Sequence, residues 1–395
     1  MIGLAVVGAA VFIAGIDTAR NPTETETETA SSPRDPAAAT TAPAPTPGPR
    51  PAPPQLPVIP AARQRGVCFV AGGEVTPAAM DDLAAHGVTW ISQTPFGWQA
   101  RADEPTFRMV TEGRVYWGER DSGLAETARL ARARGIRTLL KPHLWLRDRS
   151  NGQWVGSIAM KSEEDWAAWF ARYEEVIVHY ARLAERIGME GLCVGTELEG
   201  TTRRTTEWRR IIKAVRAVYH GRLTYAANWS GEFEHVEFWD DLDWIGVQAY
   251  FPLSDRAEAS VDELVAGWTP HVAKIEAVQK RFARPVLLTE IGYKAADRAT
   301  VEPWTWTTTD RYNPDEQARA YEAAFRVLWN KPWCGGMYWW KWFPRGHHEA
   351  GGRDRYFTPQ DKPAAAVMTR WYKTAATGGA APLQIDGGAS PSKRR

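Results

Sequence analysis

The chain has 395 residues, with 48 Lys and Arg against 47 Asp and Glu, a formal net charge of +1. That balance gives a nucleic-acid partner no electrostatic support. Three cysteines (Cys68, Cys193, Cys334), odd in number and far apart, fit neither a disulfide framework nor a zinc ligand set, and each sits in or beside an apolar run, as buried free thiols do.

In chain order, "MIGLAVVGAAVFIAGI" (1–16) comes first. Its apolar run of about 15 residues is short for a membrane span. It is like the apolar region of an export signal but lacks the positive start. Cleaved signal or retained membrane tether, either reading sends the protein out of the cytoplasm, secreted or anchored to the cell envelope. Residues 17–64 follow, with stretches such as "TETETETA" and "APAPTPGPRPAPP". Such a tract buries too little apolar area to offset its ordering entropy, and its prolines stiffen it into an extended linker. The segment 375–395, rich in Gly, Ala and Ser, is expected to be disordered as well.

Between them, residues 65–374 form one domain of about 310 residues, a length that suits an α/β barrel. Eight apolar runs are predicted as strands: "GVCFV" (66–70), "VTWISQT" (88–94), "RTLLKP" (137–142), "GLCVGT" (191–196), "LTYAAN" (223–228), "WIGVQAY" (244–250), "PVLLTE" (285–290) and "GGMYWWKWF" (335–343). Continuous apolar runs suit parallel strands buried on both faces. Helical patterns alternate with them. Thr76 and Pro77 open one and Gly87 follows it. Ser162 opens a long one, with Trp166, Trp169, Tyr173, Val176, Tyr180, Leu183 and Ile187 at helical spacing. Asn313 and Pro314 open another. Only a short helix fits between the fifth and sixth strands. Strand–helix alternation with eight strands predicts a (β/α)8 TIM barrel.

The fourth predicted strand stops on Glu197 in "GTELEG", and the seventh stops on Glu290 in "RPVLLTEIGY". In a barrel every strand opens its C-terminal end onto one face, so the two carboxylates converge. A lone Glu after a strand is commonly a loop or first-turn helix residue; two at matching ends are what glycoside hydrolysis needs. One carboxyl, kept protonated, gives its proton to the leaving oxygen, and the other attacks the anomeric carbon or stabilises charge there. Glu199 lies past the strand and reads as a loop residue. Twenty Trp fit the same chemistry, because flat aromatic faces stack on sugar rings, so many are expected in a groove or on the surface.

The motifs "LKPHLW", "GTELEG", "TEIGY" and "YWWKWF" resemble the clan of retaining (β/α)8 glycosidases, and within it most of all glycoside hydrolase family 113, whose activity is β-mannanase. The resemblance spans about residues 65–373. It implies Glu197 as general acid/base, Glu290 as nucleophile and Tyr250 as the tyrosine that hydrogen-bonds the nucleophile. It also implies Trp340 as the platform under the sugar at the cleavage point. Alternation along the last strand puts Trp342 on the same face and Trp339 against the helices. Lys141 and His143, at the end of the third strand, are candidates for sugar hydroxyls; His143 is equally a candidate structural neighbour of the acid/base. Asn228, Trp229 and Gln248 fall at strand ends as further sugar contacts, and Trp98 follows the second strand where a subsite wall would stand.

One position departs from the clan, which has Asn immediately before the acid/base to hold the sugar 2-hydroxyl; this chain has Thr196. Asn228 is the candidate to supply that contact. The expected activity is that of a retaining endo-β-glycosidase acting by double displacement on a β-linked polysaccharide, β-1,4-mannan foremost. The competing readings are a non-catalytic carbohydrate-binding barrel and a same-clan glycosidase of cell-wall or capsule glycan. No cofactor or metal is expected, the partner is a poly- or oligosaccharide, and the protein is expected to be a monomer.

Overall fold

The structure is a computed structural model and describes residues 63–306, 309–344 and 354–374. The apolar segment 1–16, the tail 375–395 and all but the end of the linker lie outside the described residues. Arg63 and Gln64, counted above with the linker, already belong to the fold: Arg63 donates to the Lys331 carbonyl, and the buried Gln64 accepts from the Tyr338 hydroxyl.

The first part of the described chain runs Gln64–Phe69 (β1), Pro77–Ala85 (α1), Trp90–Gln93 (β2), Phe96–Gln99 (β3), Phe107–Met109 (β4), Asp121–Arg132 (α2), Arg137–Leu140 (β5), His143–Leu146 (β6), Glu163–Ile187 (α3) and Gly191–Thr196 (β7). It continues with Glu199–Thr202 (α4), Thr205–Arg216 (α5), Arg222–Asn228 (β8), Glu232–His235 (α6), Trp244–Gln248 (β9), Val261–Gly267 (α7) and Thr269–Phe282 (α8). Val286–Ile291 (β10), Pro314–Leu328 (α9), Cys334–Trp342 (β11) and Pro363–Thr374 (α10) complete it. Eight strands close into a barrel in the order β1-β11-β10-β9-β8-β7-β5-β2, every adjacent pair parallel. These are the eight runs predicted from sequence. Every residue of β7 and of β10 is buried, as strands sandwiched between barrel interior and helices must be.

Local chemistry sets the helix starts. The Ser162 side chain accepts the Asp165 N–H, and Asn313 accepts the Glu316 N–H at 3.1 Å, so both cap orphan donors. Thr76 occupies the cap position of α1 without a side-chain bond, leaving Pro77 to set the first turn. In α3 the buried stripe Trp166, Trp169, Tyr173, Ile177, Tyr180 and Ala184 follows helical spacing, and Gly188 ends the helix at φ 69°.

Two expectations are corrected. Most of the Trp complement is core rather than groove: Trp169, Trp208, Trp239, Trp268, Trp329, Trp339 and Trp342 are wholly enclosed, and Trp98 is the exposed one. The aromatics fill the wide space between barrel and helices with stacked pairs, such as Trp208 on Phe238 and Phe325 on Trp371. The third predicted strand is also shorter than expected. It stops at Leu140, and His143 instead opens β6, which joins β3 and β4 in a small sheet ordered β4-β3-β6.

The register slips where it matters. Between Cys193↔Thr224 and Thr196↔Ala226, β7 advances three residues while β8 advances two. Between Leu288↔Val247 and Glu290↔Gln248, β10 advances two against one on β9. Between Val67↔Trp339 and Phe69↔Trp342, β11 advances three against two on β1. Each extra residue re-aims the side chains after it.

Candidate active site

Glu197 follows the β7 bulge directly, its N–H bonded to the Ala226 carbonyl at 2.9 Å. Its φ of 54° lies in the left-handed region, which costs a non-glycine residue on the order of 1–3 kcal/mol and concentrates at functional positions. The carboxyl is 9% exposed. Burial first, and then the carboxylate of Glu290, push its pKa up to about 8, against the opposing pull of the Asn228 hydrogen bond and of Lys141. At neutral pH it therefore carries a proton.

Glu290 sits across the mouth on β10, 3% exposed and held on both oxygens. Oε1 takes an ion pair and hydrogen bond from Lys141, and Oε2 accepts from the Tyr250 hydroxyl at 2.7 Å. Burial and the adjacent Glu290 charge raise the Tyr250 pKa well above its ordinary value, so the phenol stays a donor. Burial pulls the Lys141 pKa down, but Glu290 together with Cys68 and Cys193 outweighs it, and the net shift is upward. The two carboxyls thus stand in different surroundings: Glu197 is buried and keeps its proton, and Glu290 is paired with a buried lysine.

Lys141 is not a sugar contact. It is wholly buried, and besides Glu290 it reaches the Thr289 carbonyl at 3.3 Å and Gln248 Oε1 at 3.4 Å. Gln248, 1% exposed, also accepts from the Thr289 hydroxyl at 3.0 Å, so it supports Lys141 from below rather than facing a ligand. His143 has Nε2 3.6 Å from Glu290 Oε1, which makes it a neighbour of Glu290 rather than a support for Glu197. Burial and then Lys141 hold its pKa well below the ordinary value. That ring nitrogen is buried with no hydrogen-bond partner among the described residues.

Asn228, at the end of β8, gives its amide proton to Glu197 Oε1 at 3.0 Å, while its own Oδ1 accepts the Ser230 N–H at 2.7 Å. One of its two amide hydrogens is thus given to the acid/base carboxyl. Thr196 does not replace the clan's Asn either, because its hydroxyl donates to the Pro142 carbonyl at 3.1 Å.

On β11, Trp340 lies over the site, 5.7 Å from Lys141 Nζ and 6.5 Å from the His143 ring. Trp339 faces the helix layer, stacked on Tyr321 at 3.6 Å, as expected. Trp342 is not on the sugar face: it is 1% exposed and packs edge-on against His86 at the end of α1. The bulge accounts for this, since one extra residue reverses the alternation that would have paired it with Trp340. The residue carried to the mouth is Lys341, whose ammonium lies 5.1 Å from the Trp306 ring, and Trp306 meets Trp340 edge-on at 5.9 Å. Neither was legible: Lys341 hides inside an apolar run, and Trp306 follows no strand.

Trp229 stacks on Trp304 at 5.0 Å, half-buried above β8. Trp98 and Trp145 pair at 6.3 Å on the small sheet. A narrow cleft runs from Glu197 and His143 along Trp145, Arg149 and Trp154, so one wall of the site comes from β6 and the loop after it. Among the described residues no cluster of His, Cys, Asp and Glu has the arrangement of a metal site.

Comparison with known proteins follows this geometry. The model of Glycoside Hydrolase Family 113 matches residues 72–362. None of the curated proteins compared matches. Among solved structures, the β-mannanase AaManA of that family from Alicyclobacillus acidocaldarius, solved in complex with ManMIm, is 30% identical; the match covers 80% of this chain and 98% of that one, with a TM-score of 0.69. A β-1,4-mannanase of the family is 24% identical, over 79% of this chain and 99% of that one, with a TM-score of 0.68. A glycosidase from Streptomyces cattleya in complex with GlcNAc, 14% identical over 82% and 83% of the two chains with a TM-score of 0.50, shares the fold. The chain belongs to Glycoside Hydrolase Family 113 and is a glycoside hydrolase of the mannanase type.

Proposed function

We propose that the protein is a retaining endo-β-mannanase that cleaves β-1,4-linked mannan by double displacement. Glu290 attacks the anomeric carbon as the C–O bond to the leaving sugar breaks, and Glu197 transfers its proton to the departing oxygen. A covalent glycosyl–Glu290 ester forms. Glu197, now ionised, takes a proton from water, which attacks the same carbon, releases Glu290 and restores the starting state. Lys141 and Tyr250 hold the nucleophile in place, and Trp340 supports the sugar ring.

One observation carries this reading: a buried Glu197 that keeps its proton to about pH 8 stands with Glu290, a carboxylate fixed by Lys141 and Tyr250. Similarity to β-mannanases supports the substrate. Proton NMR of early mannohexaose hydrolysis tests the mechanism. The β-anomer should appear first, with the α-anomer arising only by mutarotation; α-product first would mean inversion and remove Glu290 from its role.

A further inference from the structure

The buried carboxylate of Glu232 has no part in the chemistry above, yet both of its oxygens lead to the acid/base. Oε1 accepts from the Tyr225 hydroxyl at 2.5 Å, and that hydroxyl oxygen accepts the N–H of Leu198, the residue after Glu197, at 2.8 Å. Oε2 accepts the Asn228 N–H at 2.5 Å, and the Asn228 amide donates to Glu197 Oε1 at 3.0 Å. We propose that Glu232 is a positioning residue that fixes Glu197 from two sides, along its backbone through Tyr225 and at its carboxyl through Asn228. The proposal rests on the reading of Glu197 as proton donor.

The backbone gives the brace a purpose. A non-glycine residue with φ 54° returns to ordinary conformations unless its surroundings hold it, and the Leu198 N–H is the next peptide along. Gly231, at φ 99°, turns the chain after β8 so that Glu232 folds back beneath Asn228. Glu232 is 1% exposed and takes no part in lining the mouth. The ionisable groups around it are Tyr225, Glu197 and Glu199, with His235 and Arg203 next to Glu199. Burial holds the Glu232 pKa well above the ordinary carboxyl range, against the bonds from Asn228 and Tyr225, so Gln would mimic its protonated form; Glu232→Leu, which removes both oxygens, breaks both arms.

The experiment compares kcat/KM, which reports the first chemical step, for mannohexaose and for 2,4-dinitrophenyl β-mannobioside, in wild type and Glu232→Leu. Dinitrophenolate leaves without a proton; a sugar does not. A misplaced acid should lower mannohexaose cleavage about 10-fold or more and leave the activated substrate within about 3-fold, inside the range that general acid catalysis supplies. Equal losses on both substrates, or no loss on mannohexaose, would overturn the proposal. Tyr225→Phe removes only the Leu198 arm and repeats the test if the Leu variant does not fold. A wild type that cleaves neither substrate would refute the mannanase reading itself, and the brace with it; an active wild type with an unaffected variant refutes the brace alone.

Discussion

At the scale of single residues, Glu197 ties activity to stability through one proton. Its carboxyl titrates near 4.5 in an ordinary setting and about 8 here, so the folded state holds the proton more tightly than the unfolded one. The stability this gives is full below the unfolded pKa and is lost as pH rises through about 8. Glu197→Gln, which cannot ionise, should therefore gain on wild type between pH 5 and pH 9, by a few kcal/mol at about 1.4 kcal/mol per pKa unit. Thermal unfolding across that range reads the difference, and a pH-independent gap would contradict the raised pKa. The same proton should make wild-type kcat/KM fall above about pH 8. Lys141 offers a second test. Lys141→Met leaves Glu290 a buried charge without its partner and should cost about 3–5 kcal/mol in denaturant unfolding. Adding Glu290→Gln should restore most of that stability while the protein stays inactive; a double variant no more stable than the single one would place the cost elsewhere. Position along the chain brought Glu197 and Glu290 together before any coordinates, and the family resemblance added Tyr250. It could not say that Lys141 bonds Glu290, that Asn228 bonds Glu197, or that Gln248 stands behind Lys141. Strand ends show which residues reach the mouth, whereas hydrogen-bond partners come from strands far apart in sequence.

At the scale of elements, the eight barrel strands were legible because buried parallel strands are written as apolar runs. The small sheet was not, since strands as short as Phe107–Met109 are too brief for any periodicity to show. The bulges were equally silent, and they explain the misplacement of Trp342: strict alternation holds only while the register does. The β7 bulge includes Gly195, where an added Cβ would lie 2.6 Å from the Tyr225 ring and 2.7 Å from that of Trp208. Both rings are enclosed in the core and have no room to yield. Gly195→Ala should therefore destabilise the fold by about 1–3 kcal/mol. It should also lower turnover, because Tyr225 carries the bond to Leu198. Denaturant unfolding and mannan hydrolysis measure the two effects; a variant unchanged in both would show that the bulge tolerates a side chain.

At the scale of the whole molecule, the barrel accounts for convergence and the helix layer accounts for rigidity. Chain ends of β7 and β10 meet across one mouth because every barrel strand runs the same way. The aromatic packing between barrel and helices, which the composition alone had suggested was groove, braces β8 through Tyr225 and β11 through Trp339, the strands paired with β7 and β10. The most direct test of the central claim is reducing-end release from β-mannan, glucomannan, xylan, cellulose and peptidoglycan by wild type, Glu197→Gln and Glu290→Gln. The account predicts release from mannan that falls by about three orders of magnitude or more in both variants. Release that persists in either variant, or wild-type binding to mannan with no release at all, would contradict it.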